Sequence, residues 1–287
     1  MNYKNILVCG SSQLAFEVAR HIKKINLHVV VLEQKITSAS TVEYLCSKND
    51  ISYYALNQNE MTDTLLHYIN EPTLIINAVN YYIFPPEVVE NQNATLVNYH
   101  NSILPLHRGM HPEAWQIFDN DIQTGVTWHY ITKEIDAGPI ISQSKIALEQ
   151  TMTSISLLKI HNRLALEVFE GFFSNLLLSN IISNPQIEYQ NIKAKKAKDI
   201  PGNGLIDINW DTDKIYAFLR AMDYGPLFTL GKPVLLHNGK HYTWQKYELK
   251  RTDENRAENQ IIIKDNFIQI KCNGADLLLY KPQVVEK

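Results

Sequence analysis

Asn5-Ile6-Leu7-Val8-Cys9-Gly10 is an apolar run that stops at a glycine, and Ser11–Ile25 behind it changes period. The run carries no polar residue between Ile6 and Cys9, as a strand covered on both faces of a parallel sheet requires. In the next stretch Leu14, Val18, Ile22 and Ile25 fall on one helix face, with Ser11 or Ser12 placed to cap it. The alternation then repeats. His28–Leu32 reads as a strand, Ser38–Lys48 as a helix, Ile51–Leu56 as a strand, Met61–Ile69 as a helix and Pro72–Val79 as a fourth strand ending at Asn80. This rhythm predicts an α/β fold with a doubly wound, mostly parallel sheet and right-handed crossovers.

The pattern continues through Leu96–His100, a helix at Glu113–Phe118 and strands at Val126–Ile131 and Ile140–Ile146. A long helix is expected from Ser154 to Asn180, packing through Ile160, Leu164, Val168, Phe172 and Leu176. Asn184–Gly204 breaks the rhythm with Pro185, Pro201, Gly202 and Gly204 and reads as a linker. Its Lys193, Lys195, Lys196 and Lys198 are expected to form a solvated run, with contact to an anionic substrate or RNA as the alternative. Beyond it, Asp211–Met222 is helical with Ile215, Phe218 and Leu219 on one side, and Asn238-Gly239 and Asn273-Gly274 signal hairpins. The expected organisation is a main domain over 1–183, a linker over 184–204 and a small, mainly β subdomain over 205–287.

Composition narrows the function. The chain has 287 residues, 45% of them hydrophobic, and a net charge of −3, which does not suit a protein built around a polyanion. The N-terminus shows no signal-peptide pattern and no apolar run approaches the ~20 residues of a membrane span, so a cytoplasmic protein without membrane contact is expected. Cys9, Cys46 and Cys272 are scattered and never form a CxxC pair, which argues against disulfides and a zinc ribbon. Gly109 and Pro112 make a poor helix around His107 and His111, so no metal site is expected there.

The turn after the first strand reads Gly10-Ser-Ser-Gln-Leu-Ala, one glycine where a dinucleotide fingerprint needs three, and no NAD is expected. No P-loop and no nucleophile-elbow motif occurs. Chemistry-bearing residues instead crowd Val97–Gln143, at the end of an otherwise apolar strand. Asn98 and His100 stand two apart and share a strand face. An amide N–H can stabilise an oxyanion, an imidazole can move protons near neutral pH, and Asp136 in the Glu-Ile-Asp-Ala-Gly loop can orient that imidazole. On residue chemistry alone the bland readings stay open: a hydrogen-bonded structural histidine and a turn-forming aspartate. No serine or cysteine nucleophile accompanies them, so direct transfer to a bound nucleophile fits better than a covalent intermediate.

Asn98-x-His100, Ser102-Ile-Leu-Pro105, Arg108-Gly109, Thr124-Gly-Val-Thr127 and Asp136-x-Gly138 together resemble the signature of the folate-dependent formyltransferases. Ile76–Pro85 is similar to the family's pterin-lining segment, and Gly204–Trp210 with Arg220–Pro226 to the start of its C-terminal subdomain. The resemblance implies a Rossmann-like formyltransferase fold, with Asn98, His100 and Asp136 as the catalytic residues. It implies 10-formyltetrahydrofolate as formyl donor, held by Tyr82, Ile83, Phe84, Ser102, Ile103, Leu104 and Pro105, with neither metal nor NAD. Asn101, Trp128-His129 and Asp223-Tyr-Gly-Pro226 look closest to the sugar-nucleotide N-formyltransferase and peptide-synthetase formylation branches. The expected activity is therefore N-formylation of a small or carrier-bound primary amine: an amino sugar nucleotide, an amino acid or a peptide precursor. The alternatives are methionyl-tRNA formylation, formyltetrahydrofolate hydrolysis and a non-catalytic folate-binding module. Nucleic acid is not an expected partner, and the sequence leaves the acceptor and the oligomeric state open.

Overall fold

The computed structural model describes residues 2–35, 40–186 and 192–286. The first unit opens with β1 (Asn5–Cys9), α1 (Gln13–Lys24), β2 (Val30–Gln34), α2 (Thr41–Lys48), β3 (Ser52–Leu56), α3 (Gln58–Tyr68) and β4 (Thr73–Asn77). It continues with α4 (Pro86–Val89) and β5 (Ala94–His100); then come α5 (Pro112–Phe118), β6 (Gln123–Tyr130), β7 (Ile140–Ala147) and α6 (Ser154–Leu177). The sheet order is β3-β2-β1-β4-β5-β6-β7. The pairs β3–β2, β2–β1, β1–β4 and β4–β5 are parallel, and β6 runs antiparallel to β5. The doubly wound, mostly parallel sheet is thus present, with strand order reversing beside β1.

Period-two burial explains why these strands are apolar throughout. Ile6, Val8, Val31, Ile76, Val97 and Trp128 face one core with α1 and α6. Leu7, Cys9, Leu32, Ile75 and Leu96 face another, with Met61 and Leu65 of α3. The side chain of Ser40 accepts from the amides of Val42 and Glu43, and Asn57 forms a capping box with Glu60, so α2 and α3 begin where capping chemistry places them. Ser12 occupies the N-cap position of α1 without a side-chain bond.

The buried stripe of α6 overlaps the expected one only in part: Phe172 and Leu176 are buried as expected. Leu157, His161, Ala165, Phe169 and Phe173 are all fully buried, whereas Leu164 and Val168 are only partly so. Small Ala165 lets Trp128 approach closely enough to donate its indole N–H to the Ala165 carbonyl at 2.9 Å. Phe169 and Phe173 stack behind it at 4.7 Å.

Contacts divide the chain into two units: Met1–Gly109, Gly125–Ile146 and Ile160–Ala194 form the first, and Met110–Thr124, Ala147–Lys159 and Lys195–Lys287 the second. The expected boundaries were contiguous; these units interleave, so α5 and the first turn of α6 count with the second. That unit also contains β8 (Leu205–Ile206), α7 (Thr212–Ala221), β9 (Val234–His237), β10 (Lys240–Thr243), β11 (Lys246–Arg251), β12 (Gln260–Ile263), β13 (Phe267–Cys272), β14 (Ala275–Tyr280) and β15 (Gln283–Val285). They form sheets ordered β15-β10-β9-β8 and β11-β14-β13-β12. Asn238-Gly239 closes the β9–β10 hairpin with both φ positive (49° and 73°), as a two-residue turn of that twist demands. Ile215, Phe218 and Leu219 of α7 enter this unit's core, on the expected side.

The segment read as a linker is partly structured. Asn184 bridges Ile140 in antiparallel fashion, and Lys195 lies 4.0 Å over the Trp115 ring while Lys193, Lys196 and Lys198 are exposed. Residues 187–191 lie outside the described part.

Candidate active site

Strand β5 delivers both Asn98 and His100 to the carboxyl end of the sheet, where open α/β folds collect their ligand groups. Register places Asn77 of β4 and His129 of β6 on either side of Asn98. The three side chains bond in a row across the strands. Asn77 Nδ2 donates to Asn98 Oδ1 at 2.7 Å, and Asn98 Nδ2 lies 3.0 Å from His129 Nε2. His129 Nδ1 faces the Tyr130 carbonyl at 2.9 Å, which requires the proton on Nδ1 and leaves Nε2 to accept from Asn98. Asn98 Nδ2 also donates to Asp136 Oδ1 at 3.3 Å. Both of its hydrogens are engaged.

Asp136 completes the cluster. Its Oδ2 accepts from the Gly109 amide at 2.8 Å and stands 3.5 Å from His100 Nδ1; its Oδ1 is 3.5 Å from His129 Nε2. His100 is 5% exposed and donates from Nε2 to the His107 carbonyl at 2.9 Å. Burial alone would raise the Asp136 carboxyl, but the facing His100 imidazole and the Gly109 amide outweigh it and hold it well below the usual carboxylate range. Asp136 is therefore a fixed negative charge between two imidazoles.

The loops around this charge are held in uncommon backbone conformations. Val79, His107 and Asp136 all have positive φ (64°, 52° and 51°), a conformation that costs a side-chain-bearing residue about 1–3 kcal/mol and persists where surroundings enforce it. The restraints are visible. Arg108 donates from Nε and Nη2 to the Ile135 carbonyl, at 3.0 and 2.5 Å. On the other side Gln186 donates to the carbonyls of Asp136 and Gly138, each at 2.8 Å. A Cβ on Gly138 would stand 1.8 Å from the Tyr130 carbonyl oxygen, so no side chain fits there.

The two segments expected to hold the donor differ in character. Thr127 Oγ1 ties Ser102–Pro105 to β6: it donates to the Ser102 carbonyl at 2.7 Å and accepts from the Leu104 amide at 3.2 Å. Ser102 and Leu104 are buried, and Ile103 and Pro105 are half-buried. The Tyr82 ring is buried, with its hydroxyl on Thr62 at 2.7 Å, so this side chain is committed to the core. Ile83 is 77% exposed, and Phe84 packs edge-on against Tyr82. Beside them the buried Nδ2 of Asn80 has no hydrogen-bond partner. Exposed apolar surface next to an unanswered amide donor is the chemistry a flat, amphipathic heterocycle such as a reduced pterin requires.

Asn77 and Gln186 escaped the sequence reading, and Gly109 and His129 were read there only as parts of motifs, with no task in the site. Asn77 carried the signal that singled out Asn98, a polar residue closing an apolar strand, and His129 lies two residues past Thr127 on the same strand face. Gln186 lay in a stretch read as a linker and carried no signal. A cavity of about 700 Å³ in the second unit is lined by Trp210, Asp211, Asp213, Arg251, Arg256 and Asn259 and contains none of these groups. Its arginines are already paired, Arg251 with Asp213 and Arg256 with Asp276.

The sequence model of the formyl transferase family matches residues 12–169, more than half of the chain. The chain belongs to the formyl transferase family. It is a formyl-transferring enzyme. Among its relatives, the GDP-perosamine N-formyltransferase of Brucella melitensis is 28% identical over 182 residues, covering 63% of this chain and 68% of the relative. A methionyl-tRNA formyltransferase of Lactobacillus gasseri is 22% identical over 291 residues, covering all of this chain and 89% of the relative. The fold of this formyltransferase matches that of the Helicobacter canadensis N-formyltransferase solved with folinic acid and dTDP-3-aminofucose: TM-score 0.77 at 19% identity, over 96% of this chain and 98% of that one. Among the described residues, no helix of the enzyme is long and apolar enough to cross a membrane.

Proposed function

We propose that this formyltransferase moves the formyl group of 10-formyltetrahydrofolate onto the primary amine of a nucleotide-linked amino sugar, with Asn98, His100 and Asp136 as its catalytic residues. One observation carries the reading: an amide, an imidazole and a carboxylate held below its usual range converge within hydrogen-bonding reach at the carboxyl end of the sheet. The relative that formylates GDP-perosamine and the similar structure holding dTDP-3-aminofucose support the choice of acceptor.

When bound, the donor supplies a formyl carbon as electrophile. Ile83, Phe84 and the Ser102–Pro105 loop hold it in this reading. Asn98 gives up one of its two Nδ2–H bonds and directs that hydrogen at the formyl oxygen as the amine adds. His100 shifts its single ring proton from Nε2, releasing the His107 carbonyl, to Nδ1 against Asp136; the Nε2 lone pair so freed takes the proton that leaves the amine and hands it to the departing folate nitrogen as the bond between that nitrogen and the formyl carbon breaks. Asp136 stabilises the resulting imidazolium and remains ionised. Transfer RNA fits less well as acceptor, because its capture rests on many phosphate contacts and the chain carries net charge −3. A cytoplasmic location belongs to the same reading, supported by three buried cysteines that are all free.

The test is donor consumption with a panel of amines: GDP-, UDP- and dTDP-linked amino sugars, free amino acids, aminoacyl carriers and methionyl-tRNA. The reading expects turnover with one class of sugar nucleotide and a mass gain of one formyl unit. Turnover with methionyl-tRNA alone, hydrolysis without any amine, or donor binding without consumption would each replace it.

A further inference from the structure

We propose that Asn77 is a positioning residue of this enzyme: it fixes which way the Asn98 amide faces and thereby makes Asn98 a donor to the reacting carbonyl. The inference rests on Asn98 being the oxyanion donor, as proposed above, and goes one layer deeper into the site.

Asn77 is the last residue of β4 and the register partner of Asn98. The strand before it, Leu74-Ile75-Ile76, is fully buried and apolar. Asn77 itself is 9% exposed, in a place where a leucine would continue the pattern. A buried amide there is costly, and this one is only half used: Nδ2 donates to Asn98 at 2.7 Å, while Oδ1 is buried with no hydrogen-bond partner. A packing role would not require a residue that leaves an acceptor unanswered. The polar group is explained by what its Nδ2 does.

An asparagine side chain can turn over about its terminal bond, exchanging donor and acceptor ends at no cost in shape. Around Asn98 the two ends meet opposite demands. On one side stand His129 Nε2 at 3.0 Å and Asp136 Oδ1 at 3.3 Å, both acceptors in the bonding pattern described; on the other stands the donor Nδ2 of Asn77. Turned over, Asn98 would present its oxygen to a carboxylate and its amino group to another amino group. Asn77 is thus the group that penalises the wrong orientation on the far side from Asp136. Its bond to Oδ1 also polarises the Asn98 amide, so the Nδ2 hydrogens become stronger donors.

Asn77→Leu removes the lock with little change of volume, and Asn77→Asp of the same shape puts an acceptor opposite Asn98 Oδ1 and favours the inverted amide. Steady-state kinetics on both, with Asn98→Ala and the Asn77→Leu/Asn98→Ala pair, separate positioning from packing. We expect kcat to fall about 10–100-fold in Asn77→Leu and further in Asn77→Asp, with KM for donor and amine unchanged within about twofold. On the Asn98→Ala background, Asn77→Leu is expected to cost nothing more. Thermal unfolding of each variant confirms that folded enzymes are compared; should the leucine variant fail to fold, the isosteric aspartate variant carries the test. Unchanged kcat in folded Asn77 variants would overturn the proposal, as would an Asn77→Leu loss repeated in full on the Asn98→Ala background. Wild-type kcat in Asn98→Ala alone would instead remove the reading of Asn98, and this inference with it.

Discussion

The turn after β1 and the turn after β5 both leave the carboxyl ends of parallel strands in one sheet, yet they use their polar groups differently. After β1 the backbone is sealed: the Gly10 amide donates to the Leu32 carbonyl and the Ser11 amide to Val79, each at 3.1 Å. A phosphate cradle needs such N–H groups free, and here they are spent inside the sheet. After β5 the chain instead runs through a loop whose Gly109 amide holds the carboxylate of Asp136. In one sheet, then, one strand end gathers the polar side chains that the proposed function uses, and the other spends its amides inside the sheet.

The contrast yields predictions that differ in kind. Asp136→Asn keeps the shape after β5 but removes the charge between His100 and His129; kcat should fall by at least ~100-fold while unfolding by urea shifts little. An unfolding shift as large as the kinetic one would make Asp136 a structural residue and level the two turns.

Gly10→Ala should do the opposite. A Cβ there would lie 2.2 Å from the Ala78 carbonyl oxygen and 2.6 Å from Ala15 Cβ, so the turn must move. Overpacking of this kind costs about 1–3 kcal/mol. Urea unfolding should register the loss, with kcat per folded enzyme kept. A selective loss of donor or acceptor binding would make this turn part of the site.

A pH series separates the buried histidines. Burial, with the nearby His100 charge adding to it, pushes His161 down to about 3 from its usual 6.5. Neutral when folded, it stabilises the enzyme fully above the unfolded value, and that stability is lost as pH falls from about 6.5 toward 3. The slope approaches about 1.4 kcal/mol per pH unit in that window. Urea midpoints of His161→Phe should lose this slope; an unchanged slope would mean that other groups carry it.

The smallest effect is expected at Lys193, Lys196 and Lys198, which are exposed. Replacing the three with alanine should leave kcat/KM within a few-fold and its salt dependence unchanged. A steep, salt-sensitive loss would point to a polyanionic acceptor.

Much of this was legible in the sequence, for physical reasons that also explain what was not. Apolar continuity in β1 and β4 announced strands covered on both faces, and Asn98, His100 and Asp136 stood out as polar residues against that background. The packing face of α6 was read only in part, since Phe172 and Leu176 are buried as expected but apolar residues occupy more than one face of the helix. The deepest positions include a histidine, His161, and an alanine, which no hydrophobic ladder selects. Gln186 was invisible because its task, bonding the carbonyls of Asp136 and Gly138, depends on the chain returning to the Asp136 loop after α6. Such returns leave no periodicity. The row Asn77–Asn98–His129 required strand register, which the parallel β4–β5 ladder and the antiparallel β5–β6 ladder supply and the sequence does not.

The most direct test of the site is kcat of His100→Ala at saturating donor and amino-sugar nucleotide, read as formylated product by mass. With His100 supplying both charge stabilisation and proton transfer at the end of β5, kcat should fall by at least ~100-fold with KM for the donor nearly kept. Wild-type kcat in a folded His100→Ala enzyme would contradict that assignment and place the chemistry elsewhere in the molecule.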